Sequence, residues 1–442
     1  MITYDDKLKN AILALRKILV DSNYDLLVKE MKLPLWYFRD PGFIHYGHSI
    51  DNRLNKLNKP YELLLRLFSL NQVVNQQEVI KNLFSKELIK DLVDLGLLVE
   101  EDNKLQTDAY AIVPFLGSYL IATSGTARSI GAYIGRQSYF LATRLFEQDF
   151  DSFLDMGSGC GLLAILAAHR AKKVVGVDIL SEAVEVGKTN AVLNQVDDRV
   201  EFFCGDMYHP VKGQNFDAIF SNVPFLALPE KYNLVSISSG EDGLRFLQPL
   251  IDGLFRHQPK IATIIANGLG NEQQPLLVNL LKNKLLNKRG YQAKLLVYSK
   301  GLIDDAFINS GVKMVVNACR DRGENISDEE IIQELKENYQ KLKVDHYYGI
   351  ILEIENKVDG VEIETIDISN KYNLNMSPSL RQKISFDLAK QILLKRDSST
   401  LPISEQEKEI FLAIKNNRIS LKEKTANSLA RKLELVLGAK PI

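Results

Sequence analysis

The stretch Asp155-Met-Gly-Ser-Gly-Cys-Gly161 follows a short apolar segment and leads directly into Leu162-Leu-Ala-Ile-Leu166. Glycines at alternate positions let a backbone turn sharply and pass close to a bulky ligand. The free amides at the start of the following helix can then bind the ligand's carboxylate. This stretch therefore predicts a strand, a glycine-rich ligand loop and a helix, as in an α/β fold.

Acidic residues at three successive strand ends narrow the choice of ligand. Asp155 precedes the first glycine, where a carboxylate attracts a cationic ligand end, either an amino group or a sulfonium, and repels a phosphate. Asp178 ends the apolar run 174–178, where an acid can accept both hydroxyls of a ribose. After the third run, Asp206 can meet the exocyclic amine of adenine while Met207 covers its face. Together these residues indicate an adenosine ligand with a cationic end.

Strands and helices alternate from Phe153 onward. Such alternation implies right-handed crossovers and a mostly parallel sheet. We expect an α/β fold built on a doubly wound, seven-stranded, Rossmann-like sheet. The predicted strands are 153–155, 173–178, 199–204, 216–222, 260–266, 293–298 and 347–355.

Residues 133–250 resemble a class I methyltransferase. They are similar in particular to the branch that contains the release-factor glutamine methyltransferases and the small-domain ribosomal RNA methyltransferases. Upstream, Tyr133–Leu141 resembles the segment that in this branch passes over the methionine part of the cofactor. The similarity rests on Phe153–Gly161, Gly176-Val-Asp178, Asn190–Asn194, Gly205-Asp206, Phe216–Phe225 and Gly240–Leu244.

The resemblance implies S-adenosyl-L-methionine as the cofactor and the strand ends as its binding site. No metal is expected, because His45 and His48 lack acidic or cysteine partners at ligand spacing. The residues expected to bind the cofactor are Asp155, Gly157, Ser158, Gly159, Gly161, Asp178, Ile179, Gly205, Asp206, Met207 and Asn222.

The tetrapeptide Asn222-Val-Pro-Phe225 follows the fourth predicted strand, where the family carries Asn-Pro-Pro-Tyr or Asn-Pro-Pro-Phe. The Asn222 side-chain carbonyl and the next backbone carbonyl can each accept one N–H of an amide or exocyclic amine. Phe225 can stack on the planar group. Asn222, Pro224 and Phe225 are therefore the predicted catalytic residues. Val223 replaces the first proline, which leaves a backbone N–H and a looser turn and puts the choice of nitrogen in doubt.

The chain is expected to form three regions, 1–110, 111–356 and 357–442. In the first, helices at 61–70, 77–84 and 86–95 precede a small hairpin, which is the winged-helix arrangement. The second is the methyltransferase domain, with an insertion at about 300–345 that contains the amphipathic helix Asp328–Leu342. The third is a helical extension, preceded from about residue 358 by one more possible strand.

The charge, the cysteines and the apolar runs of the sequence argue against several classes of protein. The formal net charge of −1 over 442 residues argues against a generally basic nucleic-acid binder. Three widely spaced cysteines suit reduced thiols. Neither a long apolar run nor a signal-like start is present in the sequence, so we expect a cytoplasmic protein without a membrane partner.

These observations predict an S-adenosylmethionine-dependent N-methyltransferase that acts on an amide or exocyclic amine of a protein, peptide, small metabolite or nucleobase. Nucleic acid is a possible acceptor but is not favoured, and a homodimer through the N-terminal region is possible. Two alternatives stay open. One is an O-methyltransferase of a small metabolite, for which no well-placed histidine is found; the other is a non-catalytic, cofactor-binding DNA regulator or scaffold.

Overall fold

The computed structural model describes most of the chain up to residue 367. The described ranges are 6–31, 47–107, 110–115, 117–123, 131–145 without 133 and 135, 150–232 without 223 and 225, 238–321 without 286, 287 and 289, 323–356 without 325, and 361–367. The helices are α1 Asp6–Asp21, α2 Tyr24–Glu30, α3 Gly47–Leu54, α4 Lys59–Phe68, α5 Gln76–Asn82, α6 Lys86–Asp94, α7 Arg136–Leu145, α8 Leu162–Ala168, α9 Ser181–Leu193, α10 Leu247–His257, α11 Leu276–Leu285, α12 Asp305–Asp321 and α13 Asp328–Leu342.

The central sheet has the mixed topology of a methyltransferase-like α/β fold. The strands of the chain are β1 Val74–Asn75, β2 Val99–Glu101, β3 Lys104–Gln106, β4 Tyr110–Phe115, β5 Ser118–Thr123, β6 Ser152–Met156, β7 Lys173–Asp178, β8 Val200–Cys204, β9 Ala218–Ser221, β10 Ile261–Gly270, β11 Tyr291–Leu302, β12 His346–Asn356 and β13 Val361–Asp367. The order in the sheet is β13-β11-β12-β10-β9-β6-β7-β8. Strands β6 to β10 run parallel to one another, and β12 is antiparallel to both of its neighbours.

The expected seven-stranded sheet is wrong by one strand, because the described residues form eight. The additional strand, β13, pairs in parallel with β11 over residues 361–367. Its first four residues, Val-Glu-Ile-Glu, alternate apolar and polar residues, as in a strand with one solvated face. The predicted domain boundary at 356 lies before this strand, whose pairing partner is about 70 residues upstream in sequence.

Alternating residues of each strand feed two cores, one on each face of the sheet. Phe153 and Val174 belong to one buried cluster, which also contains residues of α8 and α9. Leu154 and Val175, their immediate neighbours, belong to the other, with residues of α10 and α11. This two-sided burial agrees with the predicted doubly wound arrangement.

The hairpin β4–β5 was not predicted, and it is held in place by Asn190 of α9 and by Asn194, which directly follows that helix. The Asn190 Oδ1 atom accepts a hydrogen bond from the Ile121 N–H at 2.7 Å, while Asn190 Nδ2 donates to the Ile121 carbonyl at 2.8 Å. One helical turn later, Asn194 makes the same pair of bonds with Tyr119. The two side chains thus form hydrogen bonds with the outward-facing backbone groups of β5, as a neighbouring strand would.

The N-terminal region packs against the methyltransferase region rather than standing apart from it. Its predicted helices and hairpin are present, and β1, β3 and β2 form a small sheet next to α4, α5 and α6. Helix α1 contacts α9, and Arg16 donates to the Leu193 carbonyl at 2.9 Å. The Tyr24 hydroxyl donates to the Ile112 carbonyl at 3.1 Å. One buried cluster runs continuously from α1 to the central sheet.

The predicted insertion is a pair of packed helices. Helix α13 has the predicted bounds and begins after Ser327, whose hydroxyl accepts a hydrogen bond from the Glu330 N–H. Helix α12 precedes it, and the two share a separate buried cluster. The expected C-terminal helical extension, 357–442, lies outside the described residues apart from β13. Among the helices that the structure describes, none is long and apolar enough to cross a membrane.

We predict that Asn190→Ala lowers the free energy of unfolding by about 3 kcal/mol, because it leaves buried backbone groups of Ile121 without partners. Urea unfolding followed by circular dichroism measures the change. The matched control is Asn82→Ala, which removes only an exposed bond to the Glu78 carbonyl and should stay within about 0.5 kcal/mol of the parent. Equal effects of the two substitutions would contradict the role of Asn190.

Candidate active site

A cleft opens at the carboxyl ends of the parallel strands, the usual place for a ligand in such a sheet. Its empty volume of about 960 Å³ includes some open solvent and suits a nucleoside-sized ligand. The residues that line it are Gly131, Ser138, Asp155, Met156, Gly157, Ser158, Gly159, Cys160, Leu162, Leu163, Val177, Asp178, Ile179, Leu180, Gly205, Asp206, Met207, Asn222, Pro224 and Phe246.

The glycine-rich loop crosses from β6 to α8 at the floor of this cleft. The N–H groups of Gly157 and Ser158 both donate to the Val177 carbonyl, at 2.8 and 3.0 Å, which ties the loop to β7. Gly157 and Gly159 have φ values of 72° and 53°, a region that favours glycine. The loop therefore keeps its backbone close to the cleft, as predicted from the sequence.

Gly161 is the one predicted cofactor residue among those described that does not line the cleft. It has a φ of 80° and precedes the first residue of α8. A Cβ atom at this position would lie 2.6 Å from the ring of Phe202. A Cβ atom would lie 2.4 Å from the same ring at Gly176 and 2.7 Å from it at Gly187. The positive φ value and the packing around Phe202 both favour glycine at this position, and its predicted contact with the cofactor stays a prediction.

Asp178 ends β7 and connects the loop to the cleft wall. Its Oδ2 atom accepts a hydrogen bond from the Gly159 N–H at 2.8 Å, and its Oδ1 atom accepts one from the Leu180 N–H at 3.0 Å. Burial raises the pKa of this carboxyl, although the backbone donors act in the opposite direction. A carboxylate has about four acceptor sites, so this side chain can still accept a hydrogen bond from a ligand hydroxyl.

Asp155 lies beneath the loop and is almost completely buried, with 1% of its surface exposed. Its Oδ2 atom accepts a hydrogen bond from the Ala164 N–H at 3.1 Å. Burial raises the pKa of Asp155 to about 7, and the nearby charge of Asp178 adds to this effect. A carboxyl in this state is readily ionised by a cation that enters the cleft.

The third predicted strand end, which follows β8, contributes another wall of the cleft. Gly205, Asp206 and Met207 follow β8 and line the cleft together. Met207 has a φ of 47°, so the chain turns sharply there. Ile179, which follows Asp178, also lines the cleft and is 51% exposed.

Asn222 follows β9 and lines the far end of the same cleft, next to Pro224. Its Nδ2 atom donates to the Ser138 hydroxyl at 3.1 Å. Its Oδ1 atom is buried and has no hydrogen-bond partner among the described residues. A buried carbonyl without a partner is costly, so this oxygen is suited to accept an N–H from a ligand. Phe225 and Val223 lie outside the described residues.

Helix α7 brings Ser138 to this position. The Arg144 Nε atom donates to Glu353 Oε1 of β12 at 3.0 Å, and this glutamate is buried. Sequence reasoning missed Ser138, Gly131 and Phe246, because their place in the cleft depends on contacts between distant segments. A usable signal existed for Ser138 alone, since it lies in the segment that resembles the family's cofactor cover.

Comparison with known proteins agrees with this geometry. The family model for the methyltransferase small domain matches residues 132–237. The chain is 34% identical over 153 residues to a candidate protein N5-glutamine methyltransferase of Methanocaldococcus jannaschii, with 33% of this chain and 75% of that protein covered. The chain belongs to the small-domain methyltransferases. The resemblance seen in the sequence is thereby confirmed, and the cofactor of this family is S-adenosylmethionine.

Further relatives align with this methyltransferase over a similar number of residues. It is 36% identical over 141 residues to the release factor glutamine methyltransferase of Aquifex aeolicus, which covers 29% of this chain and 50% of that protein. It is 29% identical over 140 residues to the ribosomal protein uL3 glutamine methyltransferase of Francisella tularensis, which covers 29% and 44%. The alignment therefore spans half or less of the length of these two relatives. Among solved structures, a tRNA m1G37 methyltransferase of M. jannaschii has 14% identity and a TM-score of 0.34, with 58% of this chain and 60% of that chain covered.

The residues of the cleft fit S-adenosylmethionine. Asp178 offers free lone pairs for the ribose hydroxyls, and Asp155 is placed for a cationic end. Ser158 Oγ is buried without a partner in the described part of the chain, so it can bond a polar group of the ligand. A Cβ at Gly159 would lie 3.2 Å from the Gly131 carbonyl, so a larger residue would crowd the two cleft walls.

We predict that cofactor binding releases up to one proton between about pH 4 and pH 7. The cation should stabilise the ionised Asp155, whose pKa in the free protein is raised from 3.8 to about 7. Affinity should therefore rise as pH increases through this window and level off above it. Titration calorimetry in two buffers of different ionisation enthalpy measures the protons released.

The matched variant is Asp155→Asn, which keeps the shape of the side chain and should lose most of the proton release. A smaller remainder is expected from Asp178, whose pKa is also raised. Equal proton release by the parent and the variant would mean that Asp155 does not sense the cofactor.

Proposed function

We propose that this protein transfers a methyl group from S-adenosylmethionine to the side-chain amide nitrogen of a glutamine in a protein. The observation that carries the proposal is the buried, unpartnered Asn222 Oδ1 atom at the end of the cofactor cleft. An amide nitrogen carries two N–H groups and can donate one of them to this oxygen.

In this mechanism the chain's own residues position rather than activate the nitrogen. Ser138 accepts a hydrogen bond from Asn222 Nδ2, which turns the carbonyl of the same side chain toward the acceptor. Pro224 limits the backbone next to it. The cofactor supplies an electrophilic methyl group. No side chain has to remove a proton before attack, so the rate would come mainly from alignment within the cleft. The nitrogen would lose one proton to solvent as its bond to the methyl group forms and the carbon–sulfur bond of the sulfonium breaks.

The relatives support a protein acceptor. Those of A. aeolicus and F. tularensis are named for the release factor and for ribosomal protein uL3. The near-neutral net charge of this chain is also easier to reconcile with a protein than with an RNA acceptor. We therefore extend glutamine methylation to this chain, with cytoplasmic location as part of the same proposal.

The alternatives have less support. Among the described residues that line the cleft there is no histidine to act as the base of an O-methyltransferase. If the N-terminal region were a DNA-binding winged helix, its recognition helix would be α6. In the structure α6 contacts α1, and Lys7 forms ion pairs with its Asp91 and Asp94. A helix with these acids and this neighbour is poorly suited to a phosphate backbone. A homodimer through this region stays a prediction.

We predict that Asn222→Ala abolishes turnover while cofactor affinity changes by no more than a few fold. The assay incubates the enzyme with a purified release factor or uL3 and measures the gain of one methyl group on a glutamine by mass spectrometry. S-adenosylhomocysteine affinity is measured by calorimetry on the same samples. Retained turnover in this variant would remove Asn222 from the mechanism.

Asp178→Ala is the converse variant and should lose cofactor binding. In the parent, S-adenosylhomocysteine at about one hundred times its dissociation constant should stabilise the fold by roughly 2.7 kcal/mol, seen as a higher melting temperature. The variant should show almost no shift. A parent protein without a shift would contradict cofactor binding by this cleft, and with it the proposed function.

A further inference from the structure

Helix α13 carries three polar residues at positions i, i+4 and i+7, which places them on one face. They are Glu334, Asn338 and Lys341. The structure shows this face in contact with two loops next to the cleft. We call residues 226–232 the acceptor loop, because it follows the predicted catalytic tetrapeptide, and residues 238–246 the return loop.

The acceptor loop is tied to α13 by charge and by packing. The Tyr232 hydroxyl donates to Glu334 Oε2 at 2.6 Å. Lys231 forms an ion pair with Glu334 and another with Glu330, the latter at 3.2 Å. Loop and helices also share one buried cluster, formed by Ala227, Leu228, Tyr232, Leu269, Ile308, Val312, Val315, Cys319, Ile331, Leu335, Tyr339 and Val344.

The return loop is tied to the same face of α13. The Asn338 Nδ2 atom donates to the Glu241 carbonyl at 2.7 Å, and Asn338 is buried. Lys341 Nζ pairs with Glu241 Oε2 at 3.0 Å. One helix face therefore holds both loops at once.

The two loops are also bonded to each other and reach the cleft at both ends. The Ser239 N–H donates to the Leu226 carbonyl at 2.7 Å, and the Leu228 N–H donates to the Gly240 carbonyl at 3.0 Å. The acceptor loop begins two residues after Pro224, and the return loop ends at Phe246; both of these residues line the cleft. A shift of α13 would therefore move both walls of the acceptor end.

The connection that carries α13 is far longer than the sheet requires. Strands β11 and β12 are antiparallel neighbours, and such neighbours can be joined by a tight turn. Here residues 303–345 form the connection instead. Its two helices form no part of the sheet. They differ from a tight turn in making contacts with the two loops.

We propose that the α12–α13 insertion is the acceptor-selecting element of this enzyme, and that Glu334 is a positioning residue that fixes the acceptor loop. This inference rests on the proposed glutamine methylation. The insertion holds the two loops in the one arrangement that admits the glutamine-bearing segment of a protein acceptor. Loss of the Glu334 contacts leaves the cofactor part of the cleft intact, because that part is built from the glycine-rich loop and the ends of β7 and β8.

The test compares Glu334→Gln with Glu337→Gln. Both substitutions remove one negative charge from α13, but Glu337 is exposed and its bond from Gln333 stays within the helix. We expect Glu334→Gln to raise the KM for the protein acceptor about tenfold, the equivalent of one lost charge-assisted hydrogen bond. Its kcat and its affinity for S-adenosylhomocysteine should change by less than about threefold. Glu337→Gln should match the parent in all three quantities.

Amide hydrogen exchange on the same variants requires no acceptor. Glu334→Gln should speed exchange in residues 226–232, and Glu337→Gln should not. Unchanged exchange in these residues, or a loss of cofactor affinity equal to the rise in KM, would overturn the proposal. If the parent binds S-adenosylhomocysteine but methylates neither a release factor nor uL3, the proposed function fails, and the exchange result alone then decides whether α13 controls the acceptor loop.

Discussion

Asn190 lies where three parts of the chain meet, and its side-chain amide bonds to two of them. It pairs with both backbone groups of Ile121 in β5 and also donates to the Cys160 carbonyl in the glycine-rich loop at 2.8 Å. These three bonds can form together only when α9, the hairpin and the loop keep one relative arrangement. The floor of the cleft, and with it Asp155 and Asp178, depends on that arrangement.

The remaining walls of the cleft are anchored from other directions. The buried Glu353 of β12 holds α7, which delivers Ser138 to Asn222. The insertion after β11 holds the loops around the acceptor end through α13. Cofactor and acceptor thus meet between elements that are fixed independently of each other. Such a division lets one end of the cleft vary in specificity while the other keeps its ligand.

The parts of the site that the sequence predicted are those whose chemistry is local. The glycine-rich loop, Asp178 and Asp206 were recognisable because each follows directly on an apolar strand. Ser138 was not, since its partner is 84 residues away. Gly161 was assigned to the cofactor from its place in the motif, but the ring of Phe202 that requires it comes from another strand. The hairpin β4–β5 was not predicted because nearly all of its residues are buried. Its sequence therefore lacks the alternation of apolar and polar residues that marks a half-exposed strand.

Among the described residues, β13, which sequence analysis placed outside the methyltransferase domain, forms the border of the sheet on that side. Without β13, the twelve residues of β11 would present an open row of backbone groups to any other extended chain. With it, the border strand carries the exposed acids Glu362, Glu364 and Asp367. Charges of one sign along a border strand repel a second copy that approaches in the same way. The eighth strand therefore serves as protection against edge-to-edge aggregation, a property that has no connection with methyl transfer.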